Sequence, residues 1–163
     1  MRKLLLASIA SLIFSTSAFA EDIKIGIILG FTGPIESLTP AMAQGAEAAI
    51  AEVSASGQLL SGSTVTAIRA DSTCIDSAVA SANAEKLITA DKVNGIMGAD
   101  CSGVTGAILA NVAMANGMVM ISPSATSPAL STAEDNGLFF RTAPSDARQG
   151  AIMSNVLMDR GIT

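Results

Sequence analysis

Ile23-Lys24-Ile25-Gly26-Ile27-Ile28-Leu29 is a near-continuous apolar run rich in β-branched residues, broken off by Gly30-Phe31-Thr32-Gly33-Pro34. Such a run marks a strand buried on both faces, the kind found in parallel sheets flanked by helices. The residues that follow fit that reading. Thr39 is placed to cap a helix with Pro40 at its first position; Met42, Ala46, Ile50 and Val53 recur at helical spacing, and Gly57 ends the pattern. After a turn at Ser61-Gly62-Ser63, Thr64 to Ala70 is a second strand, running out at Asp71-Ser72-Thr73-Cys74. Asp76 or Ser77 starts the next helix, whose apolar side is Val79, Ala80, Ala84, Leu87 and Ile88. Asn94 to Gly98 is a short third strand. Ala99-Asp100-Cys101-Ser102-Gly103 leads from it into a helix carrying Val104, Ile108 and Val112, closed by Asn116-Gly117. Met118 to Ile121 is the fourth strand.

This alternation predicts an α/β fold, a three-layer sandwich whose parallel sheet binds ligands beyond the carboxyl ends of its strands. Four post-strand loops meet that edge: Gly30–Leu38, Asp71–Ile75, Ala99–Gly103 and Ser122–Pro128. All are rich in Gly, Ser and Thr, and three lead to helix starts, whose free amides attract anions. A small ligand carrying a carboxylate is the expectation. In Ser122-Pro123-Ser124-Ala125-Thr126-Ser127-Pro128, two prolines stiffen a backbone bearing four hydroxyls, so donors and acceptors are in place before binding. Ser and Pro are also ordinary turn residues, and a plain turn accounts for the stretch taken alone.

The chain has 163 residues, a length that suits one domain. Residues 1–20 are set aside as a secretory signal: Arg2 and Lys3 open it, Leu4 to Phe14 form a short apolar core, and Ala18-Phe19-Ala20 is a small-x-small cleavage site. A retained anchor is the alternative; Glu21 rather than Cys follows the cut, so the lipoprotein signature is missing. Cleavage removes two basic residues and no acidic one, taking the formal charge from −5 to −7. An acidic surface without a basic cluster argues against nucleic acid and anionic lipid as partners, and no later stretch is apolar enough for membrane insertion. In an exported protein Cys74 and Cys101 read as a disulfide, stabilising the fold by about 3–4 kcal/mol; two free thiols are the alternative. Two cysteines without His make a poor metal site, and no cofactor is expected.

Beyond Pro128 the pattern changes. Leu138-Phe139-Phe140-Arg141-Thr142 is a short strand, and Pro144-Ser145-Asp146 opens a helix with Ile152, Met153, Val156 and Leu157 on one side. The last residues, Gly161-Ile162-Thr163, would lead into another strand, so the chain is expected to be the front part of a longer protein.

In the order and spacing of its motifs, the segment from Asp22 onward resembles the exported ligand-binding components of branched-chain amino-acid ABC transporters, the type I periplasmic binding proteins. The motifs are Ile25–Leu29 with Gly33-Pro34, Gln44-Gly45-Ala46-Glu47, Asp71-Ser72-Thr73-Cys74, Gly98-Ala99-Asp100-Cys101-Ser102, Ile121-Ser122-Pro123-Ser124-Ala125-Thr126 and Phe140-Arg141-Thr142. The resemblance implies two α/β lobes that close on a ligand. Residues 21–138 would be the first lobe, and residues 139–163 a crossover and the first helix of a truncated second lobe. Ser102 would bind the ligand carboxylate, and Ser124, Ala125 and Thr126 would hold carboxylate and ammonium, a hydroxyl being able to donate and accept. The family disulfide would fall on Cys74 and Cys101. The acidic partner of the ammonium would come from beyond Thr163. Relatives that bind leucine-like ligands carry an aromatic after the Gly-Pro turn. Here Ile35-Glu36-Ser37-Leu38 has none, with Leu38 in its place, which leaves open amides, other amino acids and small carboxylates.

Catalysis finds little support in the residues: there is no His base, no Walker loop and no Gly-x-Gly-x-x-Gly after the first strand. Asp71, Asp76 and Asp100 sit on the site edge, where helix capping and solvation account for them. The expected function is a periplasmic receptor that captures a small amino acid and delivers it by hinge closure to an ABC membrane permease. A ligand-sensing receptor domain shares this fold and is the alternative.

Overall fold

The computed structural model describes residues 21–59 and 62–162. The expected signal sequence at 1–20, Ser61 of the expected turn and Thr163 lie outside them. The elements are β1 (Asp22–Leu29), α1 (Thr39–Ala55), β2 (Thr64–Asp71), α2 (Ser77–Thr89), β3 (Gly95–Gly98), α3 (Ser102–Ile108), α4 (Met114–Asn116), β4 (Met120–Ser122), β5 (Phe139–Arg141) and α5 (Asp146–Asp159). All strand pairings are parallel, in the order β2-β1-β3-β4-β5. Ile27 and Leu29 point to one face and Ile28 to the other, and all three are fully buried, as the apolar run at 23–29 predicts.

The two faces are covered unequally. On one, α2, α3 and the chain beyond enclose Ile28, Leu87, Ile96, Ile108, Leu109 and Met120 in the larger core. On the other, α1 covers only β1 and its neighbours, through Ile27, Leu29 and Ala43 with half-buried Met42, Ala46 and Ile50. Val119, Ile121 and Phe140 remain exposed there. Helix α5 buries none of its residues; it is tied at its start, where the Asp146 N–H donates to the Thr126 carbonyl at 2.9 Å. None of the described helices is long and apolar enough to cross a membrane.

Several local expectations are corrected. Thr39 does not cap α1: the capping position is Leu38, with no side-chain bond, and the buried Thr39 hydroxyl donates to the Gly30 carbonyl at 3.0 Å. It anchors the helix start to the end of β1 instead. Val53 and Val79, assigned to apolar helix faces by their spacing, are exposed; beside Val79 it is Ala80 that faces the core. The third helix passes from α3 through a π-helical segment, Leu109–Ala113, into α4. That insertion leaves Val112 on the buried side with Ile108 and Leu109. β4 begins later than expected: Gly117 adopts φ 62°, and the Met118 N–H bonds back to the Ala113 carbonyl at 2.9 Å, so Met118 closes the helix rather than opening the strand.

Two features hold the loop-bearing edge. Gly98 lies at φ 134°, and a Cβ there would fall 2.1 Å from the Ile28 carbonyl oxygen, so only glycine lets β3 end this close to β1. Cys74 and Cys101 form a disulfide, with Cα atoms 5.2 Å apart, joining the loops after β2 and β3. Gly98→Ala is expected to cost about 3 kcal/mol in denaturant unfolding, as displaced backbone cannot be relieved by a rotamer change. Reduction of the disulfide is expected to lower stability by about 3–4 kcal/mol in the same measurement.

Candidate functional site

The strand order reverses at β1, which has β2 on one side and β3 on the other. In open α/β sheets ligands bind at such a reversal, beyond the carboxyl ends of the strands, here those of β1 and β3. Asp100 lies at this edge. Its carboxylate is 2% exposed and accepts from the Gly30 N–H (2.9 Å), the Ser72 hydroxyl (3.2 Å) and the Cys101 N–H (3.0 Å). Its backbone carbonyl accepts from the Ser124 hydroxyl at 3.0 Å. This overturns the reading of Asp100 as a cap or solvated side chain; of the three loop carboxylates only Asp76 caps a helix, accepting from the Ala78 and Val79 N–H groups. One buried charge, satisfied by three donors, ties the first three loops together, and its own main chain holds the fourth.

Asp71 makes a second tie between the loops after β1 and β2, accepting from the Thr32 N–H (3.2 Å), the Thr32 hydroxyl and the Thr73 N–H (2.8 Å). Partial burial would raise its pKa, but these bonds outweigh that and hold the carboxyl below its usual value. Phe31 of the same loop stacks over the Arg69 guanidinium, 5.4 Å from its ring centre, and Arg69 forms a bidentate pair with Glu47.

The residues singled out for ligand binding lie on adjoining loops. Ser102 is the first residue of α3, a helix whose capping residue, Cys101, contributes no side-chain bond. The half-buried Ser102 hydroxyl accepts from the Ser127 N–H at 3.1 Å, which brings it beside Thr126. Ser124 is anchored by its hydroxyl. Ala125 is fully buried, its N–H bonded to the Ser122 hydroxyl (2.9 Å) and its carbonyl to Arg141 (3.1 Å). Ser122 in turn donates to the Ala99 carbonyl, so the loop after β4 is built onto the loop after β3. Thr126 is half-buried, and its hydroxyl donates to an Asp146 carboxylate oxygen at 2.9 Å.

Asp146 and Arg141 bond to the loop that carries the candidate residues, which sequence reasoning missed. Asp146 read as a helix-opening residue after Ser145, which does cap α5 through the Ala147 N–H. Nothing in its spacing shows that its carboxylate meets a loop twenty residues earlier. The result is an edge where the Ser102 and Thr126 hydroxyls, the first-turn amides of α3 and the Asp146 carboxylate are carried on adjoining segments. That set suits a small zwitterion: donors for an anionic group and acceptors for a cationic one. A cavity of about 540 Å³ lies elsewhere, along α1 at Ala49, Glu52 and Val53. It has no comparable set of groups from several elements. Among the described residues no cluster of His, Cys, Asp and Glu is arranged to hold a metal ion.

A family model described as periplasmic binding protein matches residues 22–163. The Leu/Ile/Val-binding protein of Escherichia coli (strain K12) is 32% identical over 97% of this chain and 42% of its own length. Among solved structures, the branched-chain amino acid transporter substrate binding protein LivJ from Streptococcus pneumoniae, in complex with isoleucine, superposes with a TM-score of 0.74 at 32% identity, covering 84% of this chain and 38% of that one. An ABC transporter substrate-binding protein from Desulfitobacterium hafniense, complexed with Leu, gives 0.72 at 26% identity over 86% and 40%. The chain thus spans about two fifths of the length of these relatives.

The lowered Asp71 pKa sets the sign of a pH effect. Its stabilisation is present above the unfolded carboxylate pKa of about 3.9 and is lost as pH falls through the lower folded value. Thermal unfolding followed against pH should therefore show Asp71→Asn less stable than wild type near neutrality, the two curves converging on acidification below that value.

Proposed function

Because the chain belongs to the periplasmic binding protein family, we propose that it carries the first ligand-binding lobe of an exported receptor for a small amino acid of the branched-chain type. The supporting observation is that Ser102 and Ser124 lie on adjoining loops joined through the Ser127 N–H and the Asp100 carbonyl, with Thr126 between Ser124 and Ser127 and bonded to the Asp146 carboxylate. On this reading the Ser102 hydroxyl and the amides opening α3 receive the ligand carboxylate. Alongside the acidic partner expected beyond Thr163, the Ser124 carbonyl and the Asp146 carboxylate receive the ammonium, and the Thr126 hydroxyl, already bonded to Asp146, sits between the two groups. Ala125 contributes as the buried pivot of the loop rather than through a free polar group of its own, since both its backbone groups are bonded within the chain.

Residues 21–138 form the body of this lobe; within residues 139–163, β5 completes its sheet and the chain then begins the passage to a second lobe. Ligand docks first on the edge of this lobe; closure of the second excludes water and strengthens every polar contact inside. The closed form is what a membrane permease would recognise. The protein captures and releases, with no bond of the ligand made or broken. Export through the signal at residues 1–20 places it in the periplasm, where the Cys74–Cys101 disulfide is favoured.

Calorimetry on the full-length protein tests this with L-leucine, L-isoleucine and L-valine, and acetamide as the competing ligand class. At least one branched-chain amino acid is expected to bind, and Thr126→Ala to weaken it by about tenfold or more. Binding of acetamide alone would move the receptor to the amide class. Unchanged affinity in the Thr126 variant would remove this site.

A further inference from the structure

Arg141 ends β5, an edge strand of three residues paired with β4 in the register Ser122↔Arg141. Phe139, two residues earlier and so on the same face, is buried, while Phe140 between them is exposed on the bare face. Arg141 therefore reaches toward the covered side, under the loop after β4. One guanidinium nitrogen donates to the Ala125 carbonyl at 3.1 Å and to the Ser127 carbonyl at 2.9 Å, and another donates to the Ser131 hydroxyl. The two carbonyls are those on either side of Thr126.

We infer that Arg141 is a positioning residue for Thr126: its guanidinium grips the chain before and after that residue and so fixes where the hydroxyl points. The inference rests on the reading of residues 124–126 as the ligand loop. Without the guanidinium the Ala125 carbonyl, inside a fully buried residue, has no other donor among the described residues, and the turn through Pro128–Ser131 loses its hydrogen bond to the sheet's edge strand. The chain supplies a second hold from the opposite side. Five residues beyond Arg141, Asp146 takes the Thr126 hydroxyl and gives its N–H to the Thr126 carbonyl. Thr126 is thus held by both ends of one short segment, and that segment leads into α5. Any movement of α5 during closure would be felt at Thr126 through Asp146, while Arg141 keeps the loop backbone with the sheet. Lysine cannot replace this grip, because its three donors radiate from one atom and the planar fork has several fixed directions.

The test uses the full-length protein with L-leucine as probe, comparing Arg141→Lys and Arg141→Met in the wild-type and Thr126→Ala backgrounds. Arg141→Met should weaken L-leucine about tenfold, with Arg141→Lys between it and wild type. In the Thr126→Ala background the same substitutions should change affinity by no more than about twofold, because the group being positioned is gone. Losses that multiply in the double variants overturn the proposal. Proton–nitrogen correlation spectra of the unliganded protein give a readout independent of ligand. Amide resonances of residues 125–127 should move in Arg141→Lys while those of Thr32 and Thr73, held by Asp71, stay in place; if 125–127 stay in place, the proposal fails. Should Arg141→Met not fold, Arg141→Lys carries both comparisons. A wild-type protein that binds none of the branched-chain amino acids sinks the functional reading, and the spectra then decide the clasp on their own.

Discussion

The buried carboxylate of Asp100 is the constraint on which the ligand-facing edge depends. An ionised group out of water costs several kcal/mol unless donors replace its hydration. Here the donors come from the ends of β1 and β2 and from the start of α3, so the charge is tolerated only while all three stay in register. The disulfide, the Ser122–Ala99 bond and Gly98 repeat the same requirement in other chemistry: each forces the loop after β3 against a neighbour. A site assembled from four separate loops needs such redundancy, because each loop alone is free to move.

This edge contrasts with the rest of the lobe. The sheet is closed by helices on one face and only partly covered on the other, and α5 stands free of the core. Rigidity is concentrated where polar groups must keep their geometry. Under the proposed function, a wall prepared before ligand arrives leaves binding free energy available to draw in a second one. The segment from Arg141 to Asp146 lies at the junction of the two regimes.

Much of the architecture was legible from local pattern. The strand read at 23–29, one residue short of β1, was readable because a parallel strand buried on both faces needs an apolar residue at nearly every position. The third helix ended where Gly117 said it would, since few other residues adopt its left-handed conformation at so little cost. Errors came where a side chain had a tertiary use. Thr39 has the composition of a cap but spends its hydroxyl on β1; Asp100 has the composition of a loop carboxylate but is buried. The π-helical segment gave no signal, because one extra residue in a helix changes neither composition nor ends.

The sequence by itself determined the α/β alternation, the parallel sheet, the disulfide pair and the four loops that carry the polar residues. Each of these follows from periodicity, turn chemistry or a count of cysteines, all properties of neighbours along the chain. The tertiary structure alone decided which polar groups meet: Asp100 with Gly30 and Ser72, Ser102 with Ser127, Thr126 with Asp146, and Arg141 with the carbonyls around Thr126. Hydrogen bonds reach about 3 Å, whereas these partners stand many residues apart, so only the packed sheet can bring them within range.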